Sequence, residues 1–257
     1  MTEPLRIGLV VPSSNTTMET ELPALFRRRE EAAPERFTFH SSRTRMRQVT
    51  PEELGAMVRD SERCIVELAD ANVDAIAYAC LVAVMAEGPN AHAAIERRLA
   101  ERASAEGLDV RVISSAGALI TALRALGAER IAVIAPYMKP LTTMVTDYIA
   151  DGGPQVCRSV SLEVADNLEV GRLDPANLIG IADDLDTSDV DALVLSACVQ
   201  MPSLPSIQTV EDRLGLPVVS AATATTYALL TALGLPPHVP GAGRLLTGGV
   251  PAGAPAG

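Results

Sequence analysis

Cys80 and Cys198 close two nearly matching segments, which begin at residues 73 and 190 and so lie 117 positions apart. Val73-Asp-Ala-Ile-Ala-Tyr-Ala-Cys80 reads as a short buried strand running into a loop, and Val190-Asp-Ala-Leu-Val-Leu-Ser-Ala-Cys198 reads the same way with one extra residue. A duplicated fold that sets one thiol from each copy at the same strand end predicts two sulfurs facing each other across a shared cleft. Thiols so placed serve as nucleophile and as acid or base. Most free cysteines are small core hydrophobes, but both of these fall past their apolar runs rather than inside them. The loop N–H groups and the helix after each would favour a thiolate, whereas the apolar neighbours Leu81-Val-Ala-Val and Val199 oppose it. Cys64, on the apolar side of a helix, and Cys157, mid-strand, read as core.

Ser13-Ser-Asn-Thr-Thr-Met-Glu19 follows the first strand. Thr16-x-x-Glu19 has the form of a capping box, and a helix start there would also make an anion cradle with Asn15 pointing into the cleft. The stretch lacks the glycines and lysine of a P-loop. Tyr137 follows the second-half counterpart of the first strand. Asn167, in Ala165-Asp-Asn-Leu, lies between a strand and a proline-capped helix, where asparagine ordinarily serves local backbone bonds. Ser114, Ser115, Ser220 and Thr223 precede helices and are expected to cap them. The Arg27–Arg29 run and the Arg43, Arg45 and Arg47 set read as solvated, the latter within reach of a cleft.

The elements that must position these groups alternate. Strands are predicted over Leu5–Val11, Arg36–Ser41, Ala75–Ala79, Val110–Ser114, Arg130–Ala135, Gln155–Ser161, Ala192–Ser196 and Pro217–Ser220, mostly apolar as in parallel sheets covered on both faces. Helical patterns lie between them: an amphipathic one over Pro51–Asp70, one from Pro140 to Gly152-Gly153, and one opened by Asp174-Pro175 as N-cap and N1. Arg6-Ile-Gly-Leu-Val-Val-Pro12 matches Arg130-Ile-Ala-Val-Ile-Ala-Pro136, and Val112-Ile-Ser-Ser-Ala-Gly-Ala-Leu matches Val218-Val-Ser-Ala-Ala-Thr-Ala-Thr. With the cysteine segments these make three blocks in one order. They favour two doubly wound α/β halves, each with a four-stranded parallel sheet, over a single eight-fold barrel. The first half is expected to comprise 1–116 plus 222–246 and the second 117–221. The Pro-, Gly- and Ala-rich residues after Leu235 are expected to be poorly ordered apart from a docked Arg244-Leu-Leu, with 247–257 as a disordered tail.

The chain has 257 residues, 48% hydrophobic and 21% charged, which describes a globular protein with an ample core. A formal charge of −11 argues against a nucleic-acid partner and requires any anionic substrate to be held by local donors. No run is long and apolar enough for a membrane span, and no leader pattern opens the sequence. Four scattered cysteines without CxxC pairs fit a reducing cytoplasm, and His40, His92 and His238 have no zinc-like spacing to them.

Pro12-Ser-Ser-Asn-Thr-Thr-Met-Glu, Ala79-Cys-Leu-Val-Ala and Ser196-Ala-Cys-Val-Gln-Met-Pro-Ser, with Pro136-Tyr and Asp166-Asn-Leu, resemble the maleate cis–trans isomerases of the Asp/Glu racemase superfamily. The resemblance runs from about Arg6 to Leu246. It implies two flavodoxin-like halves around a pseudo-two-fold axis and a cofactor-independent conversion of maleate to fumarate. Cys80 would be the nucleophile and Cys198 its acid/base partner. Asn15, Tyr137 and Asn167 would hold the carboxylates, assisted by N–H groups around Leu81, Val82 and Val199. No metal or organic cofactor is implied, the partner is a small dicarboxylate, and a homo-oligomer, a dimer, is expected. The racemase relatives open with Cys-Asn-Thr where this chain has Cys-Leu-Val, and the arylmalonate decarboxylases lack the first cysteine. Two rivals stay open: a two-thiol racemase or epimerase of a small carbon acid, and a non-catalytic small-anion binding module. A nucleotide binder is a weaker third, for want of a phosphate motif.

Overall fold

A computed structural model describes residues 3–249. In chain order the elements up to residue 125 are β1 (Leu5–Pro12), α1 (Met18–Ala32), β2 (Phe37–Thr44), α2 (Pro51–Asp70), β3 (Ala75–Tyr78), α3 (Leu81–Met85), α4 (Ala91–Ala105), β4 (Arg111–Ser114) and α5 (Ser115–Ala125). They continue with β5 (Arg130–Ala135), α6 (Lys139–Asp151), β6 (Gln155–Ser161), α7 (Asn167–Val170), α8 (Asn177–Asp183), β7 (Ala192–Ser196), α9 (Leu204–Leu214), β8 (Val218–Ser220) and α10 (Ala221–Ala232). The strands form two separate four-stranded parallel sheets, ordered β2-β1-β3-β4 and β6-β5-β7-β8. The same order in each excludes the closed barrel.

The duplicated Val-Asp has a structural purpose in both halves. The Asp74 carboxylate accepts from the Arg6 backbone N–H at 2.6 Å, and Asp191 accepts from that of Arg130 at 2.8 Å. Each aspartate thereby fixes where its strand starts against the central one. At the far ends, Ala79 N–H donates to Val10 O and Ala197 N–H to Ile134 O. The extra residue of the second copy is absorbed between them, where the β7–β8 register shifts between Val194 and Ser196. An irregularity of this kind accommodates one residue without moving the strand end. Both cysteines therefore stand one residue beyond an equivalent ladder bond.

Helix packing follows from small residues and caps. A Cβ on Gly8 would lie 3.1–3.2 Å from Val73, Ile76 and Leu68, so its absence lets α2 sit close on β1. Ser114 accepts from Gly117 N–H, and Ser220 forms a reciprocal box with Thr223, as expected of both. The helices they open, α5 and α10, pack on each other across the halves, and Thr225 donates to Ser115 Oγ at 2.9 Å. Besides β8, α10 also packs on α1, β3 and β4 of the first half.

Several expectations are corrected. The second strand extends to Thr44 because all eight of its residues pair with β1, although its outer part is too polar to read as a buried strand. The Asp174-Pro175 helix starts only at Asn177; Asp174 closes a turn onto Ala176 N–H instead. Cys157 is half-buried on the edge strand β6 rather than in the core, whereas Cys64 is buried. Arg29 is not solvated: it is buried and donates to the carbonyls of Pro236 and His238. Those contacts help dock the C-terminal segment, in which Leu245 and Leu246 are fully buried and Thr247 pairs with His238. Order thus extends past the expected start of the tail, whose remainder, 250–257, lies outside the described residues.

Replacing Leu246 by Ala should cost about 2–5 kcal/mol, the usual range for a fully buried leucine. A urea midpoint unchanged from that of the parent would mean that this segment does not dock.

Candidate active site

The C-terminal ends of β1, β3, β5 and β7 converge on one chamber. Cys80 and Cys198 both line it, with Asn15, Tyr137, Asn167 and Gln200 as polar neighbours and Pro12, Met46, Val49, Val82 and Val199 as apolar walls. No acidic side chain and no cation is among these residues. Its volume is about 10 Å³, roughly enough for one water. A four-carbon dicarboxylate therefore enters only if a wall moves. Met46, Val49 and Asn167 also line an outer cleft of about 630 Å³, so they form the partition between chamber and outside.

The two thiols sit in different local structures. Cys80 is the N-cap residue of α3; its side chain makes no capping hydrogen bond, though the nearby Ala83 N–H favours its thiolate. Helix geometry leaves the N–H groups of Leu81 and Val82 without intrahelical acceptors. Val82 lines the chamber; Leu81 is buried but does not. Burial overrides the helix start, and with the nearby Cys198 sulfur it pushes the Cys80 thiol up to about 12. Cys198 is followed by no helix but by a loop wrapped around the Ser196 hydroxyl, which donates to Cys198 O and Met201 O. Burial raises this thiol too, opposed by the nearby Tyr137 hydroxyl and Met201 N–H and by Gln200 N–H, which donates to the sulfur at 3.3 Å. The Tyr137 hydroxyl is held far from ionisation by its own burial and by the sulfur beside it.

The loop after β1 is interlocked with the loop after β7. Asn15 Nδ2 donates to Val199 O at 3.0 Å, Thr16 N–H to Gln200 Oε1 at 2.9 Å, and Thr17 Oγ1 to Gln200 O at 2.7 Å. Asn15 Oδ1 meanwhile accepts from the N–H groups of Thr17 and Met18. This overturns the Thr16–Glu19 capping box: the N-cap of α1 is Thr17, without a side-chain cap bond, Asn15 Oδ1 holds the N–H groups just before the first turn, and Glu19 pairs with Arg43 instead. Arg43 also donates to the carbonyls of Pro12, Ser13 and Asn15, which braces the loop from outside. Arg45 is exposed and Arg47 lines the outer cleft. Asn167 is not in a plain turn but opens α7, and its Nδ2 donates to Ser14 Oγ at 2.8 Å. A primary amide has two N–H groups, so Asn15 and Asn167 each keep one for a ligand.

Of the residues that the resemblance assigns to the site, the chamber brings together Cys80, Cys198, Asn15, Tyr137, Asn167, Val82 and Val199, but not Leu81. Sequence reasoning misses Gln200. It stands inside a quoted motif, but a glutamine two residues after a cysteine carries no signal of its own; only the folded loop shows what it touches.

A family model described as arylmalonate decarboxylase matches residues 7–246. The maleate isomerase of Geobacillus stearothermophilus is 59% identical over 249 residues, covering 96% of this chain and 99% of that one. The chain belongs to the arylmalonate decarboxylase family, alongside its maleate isomerases. A crystal structure of a family member from Pseudomonas putida S16, a cysteine-to-alanine variant of its maleate isomerase with maleate, superposes with a TM-score of 0.95 at 55% identity, covering 96% and 99% of the two chains. The Nocardia farcinica maleate cis–trans isomerase, in a cysteine-to-serine variant carrying a covalently bound succinylcysteine intermediate, superposes with a TM-score of 0.91 at 51% identity, covering 95% and 99%. Arylmalonate decarboxylase itself, at 22% identity and a TM-score of 0.73, shares the fold of the family.

The raised thiol at Cys80 has a measurable consequence. Burial disfavours the charged form, so less thiolate exists at any given pH than in a free cysteine. Alkylation of Cys80 by iodoacetamide, followed by peptide mass spectrometry, should keep climbing to the alkaline limit of the folded protein. A plateau near the ordinary thiol value of about 8.5 would contradict the burial argument.

Proposed function

We propose that this chain isomerises maleate to fumarate by reversible addition of the Cys80 sulfur to the C=C bond. The observation that carries the reading is a small buried chamber lined by two thiols, neutral donors and no acidic group. An amino-acid substrate would find no partner there for its ammonium group, which disfavours the racemase alternative. A simple anion-binding module would have no use for paired thiols of unlike surroundings.

The sulfurs are close enough to repel each other's charge, so the pair works with a single negative charge. Cys198, whose sulfur accepts from Gln200 N–H and is further favoured as thiolate by the Tyr137 hydroxyl and Met201 N–H, is the better seat for it. In the proposed step the Cys80 S–H proton passes to Cys198 while the Cys80 sulfur forms a bond to carbon 2. The π pair moves to carbon 3 and delocalises into the adjoining carboxylate as an enediolate. Cys198 then delivers its proton to carbon 3, giving a succinyl-cysteine. Rotation about the new single bond and the reverse sequence release fumarate. Asn15, Asn167 and the N–H groups of Val82 and Val199 are assigned to the carboxylates. Such neutral donors are worth roughly 3–4 kcal/mol each where charge develops. The same reading includes a homodimer and, in keeping with four free cysteines, a reducing cytoplasm.

Proton NMR of the alkene signals during incubation with maleate tests the activity directly. Cys80→Ala should abolish it, and an active variant would end the mechanism. Cys198→Ser should lose turnover while still allowing one substrate equivalent to be trapped on Cys80. Tyr137→Phe removes a donor from the Cys198 sulfur, so its thiol should rise further and kcat fall roughly 10²–10³-fold. Unchanged kcat would remove Tyr137 from the proposal.

A further inference from the structure

Gln200 is 2% exposed and bonded at every polar group it has. Its Nε2 donates to Ser14 O at 3.1 Å and to Asn167 O at 3.0 Å, and its Oε1 accepts from Thr16 N–H at 2.9 Å. Its backbone O accepts from Thr17 Oγ1 at 2.7 Å, and its backbone N–H donates to Cys198 Sγ at 3.3 Å. The amide cannot turn over, because a flip would set its oxygen against two carbonyls and its nitrogen against an N–H. The neighbouring chain makes room for it. A Cβ on Gly171 would lie 2.6 Å from Gln200 Nε2 and 2.9 Å from Thr16 Oγ1. Gly171 has an ordinary helical φ of −68°, so glycine is needed there for space and not for conformation.

The residues gripped by this one side chain flank the groups assigned to the substrate. Ser14 and Thr16 bracket Asn15, and Asn167 is held through its own carbonyl. We propose that Gln200 is a positioning residue: its side chain fixes the spacing between Asn15, Asn167 and the Cys198 sulfur, and so sets the grip on the dicarboxylate. A glutamate would face two carbonyl oxygens with a second acceptor and fit only when protonated. Methionine would match the volume and lose all three side-chain bonds. The inference deepens the proposed isomerase reading and rests on it for the kinetic arm, whereas its thiol arm needs no substrate.

The test compares Gln200→Met, Gln200→Glu and Gly171→Ala with the parent, with thermal melting measured in parallel. Misplacing a reactive group by about 1 Å can cost 10²-fold. Gln200→Met should therefore lose roughly that factor in kcat/KM with a raised KM. Its Cys198 alkylation profile should shift to higher pH as the backbone donor drifts from the sulfur. Gln200→Glu should recover activity relative to the parent as pH falls, because burial beside carbonyls raises its carboxyl pKa and the protonated form can donate again. Gly171→Ala, which pushes the amide aside without removing it, should show the same changes more weakly and serves if the Gln200 variants do not fold.

Parent-like kcat/KM together with an unmoved Cys198 profile would overturn the proposal. So would losses that merely track the unfolded fraction. Should the parent fail to isomerise maleate while Gln200→Met still moves the Cys198 profile, the isomerase reading falls and the positioning role stands.

Discussion

The site exists because two loops from different halves are sewn together by buried hydrogen bonds. Asn15, Thr16 and Thr17 of the first half meet Val199 and Gln200 of the second, and the bonds are 2.7–3.0 Å long. Each such bond contributes only about 0.5–1.5 kcal/mol net, but an unmet buried partner costs more, so the register between the loops is strongly specified. Everything chemical hangs from that register. The Cys198 loop takes its shape from it, and Asn15 is aimed by it while its Oδ1 holds the N–H groups at the start of α1. Secondary structure alone would bring two strand ends near each other; the stitching decides at which distance and angle.

The constraint has an electrostatic price. Closing the loops excludes water from both thiols, and burial moves their ionisation away from neutrality. Two sulfurs in a dry space cannot both be charged, and a dianionic ligand would push them further toward the neutral form. The chain answers with donors rather than cations: a phenol and peptide N–H groups around Cys198, a helix start at Cys80. Neutral donors stabilise a transient charge without binding a resting carboxylate so tightly that it cannot leave. With a formal charge of −11, attraction at long range is not the means by which this fold would select an anion.

Much of this is legible in the sequence, and the reasons are specific. Three strands can be placed to the residue, since Arg130–Ala135, Gln155–Ser161 and Ala192–Ser196 are bounded by turns or charge on both sides. The paired cysteines are legible because duplication exposes position: Val-Asp recurs where each aspartate anchors a strand start, and the thiols come six and seven residues after the two aspartates. The features that stay hidden depend on partners far away in the chain. Arg29 reads as one of three solvated arginines until Pro236 and His238 fold back onto it. Asn15 reads as a loop residue inside a capping box until Val199 arrives to take its amide. The short helices α3 and α7 carry no periodicity to detect at 5 and 4 residues, yet they start at Leu81 and at Asn167, where the chamber needs them.

Duplication and later divergence explain why two equivalent cysteines need not do the same work. Equal ladder bonds bring both to the same depth, with the shift in the β7–β8 register absorbing the extra residue of the second copy. Beyond that point the copies part. Leu81-Val-Ala-Val-Met continues into a helix, which offers Cys80 the nearby Ala83 N–H and the positive end of a short dipole but no side-chain cap bond. Val199-Gln-Met-Pro leads into no helix until Leu204; Pro202 has no N–H to offer, and the loop turns back so that two peptide N–H groups and a phenol reach the Cys198 sulfur. A symmetric pair would hold a shared proton equally at either end. An asymmetric pair gives the charge a preferred end and leaves the other sulfur free to form and break a bond to carbon. Under the proposed mechanism the division of labour therefore lies in the segments Leu81–Met85 and Val199–Ser203, not in the two thiols themselves.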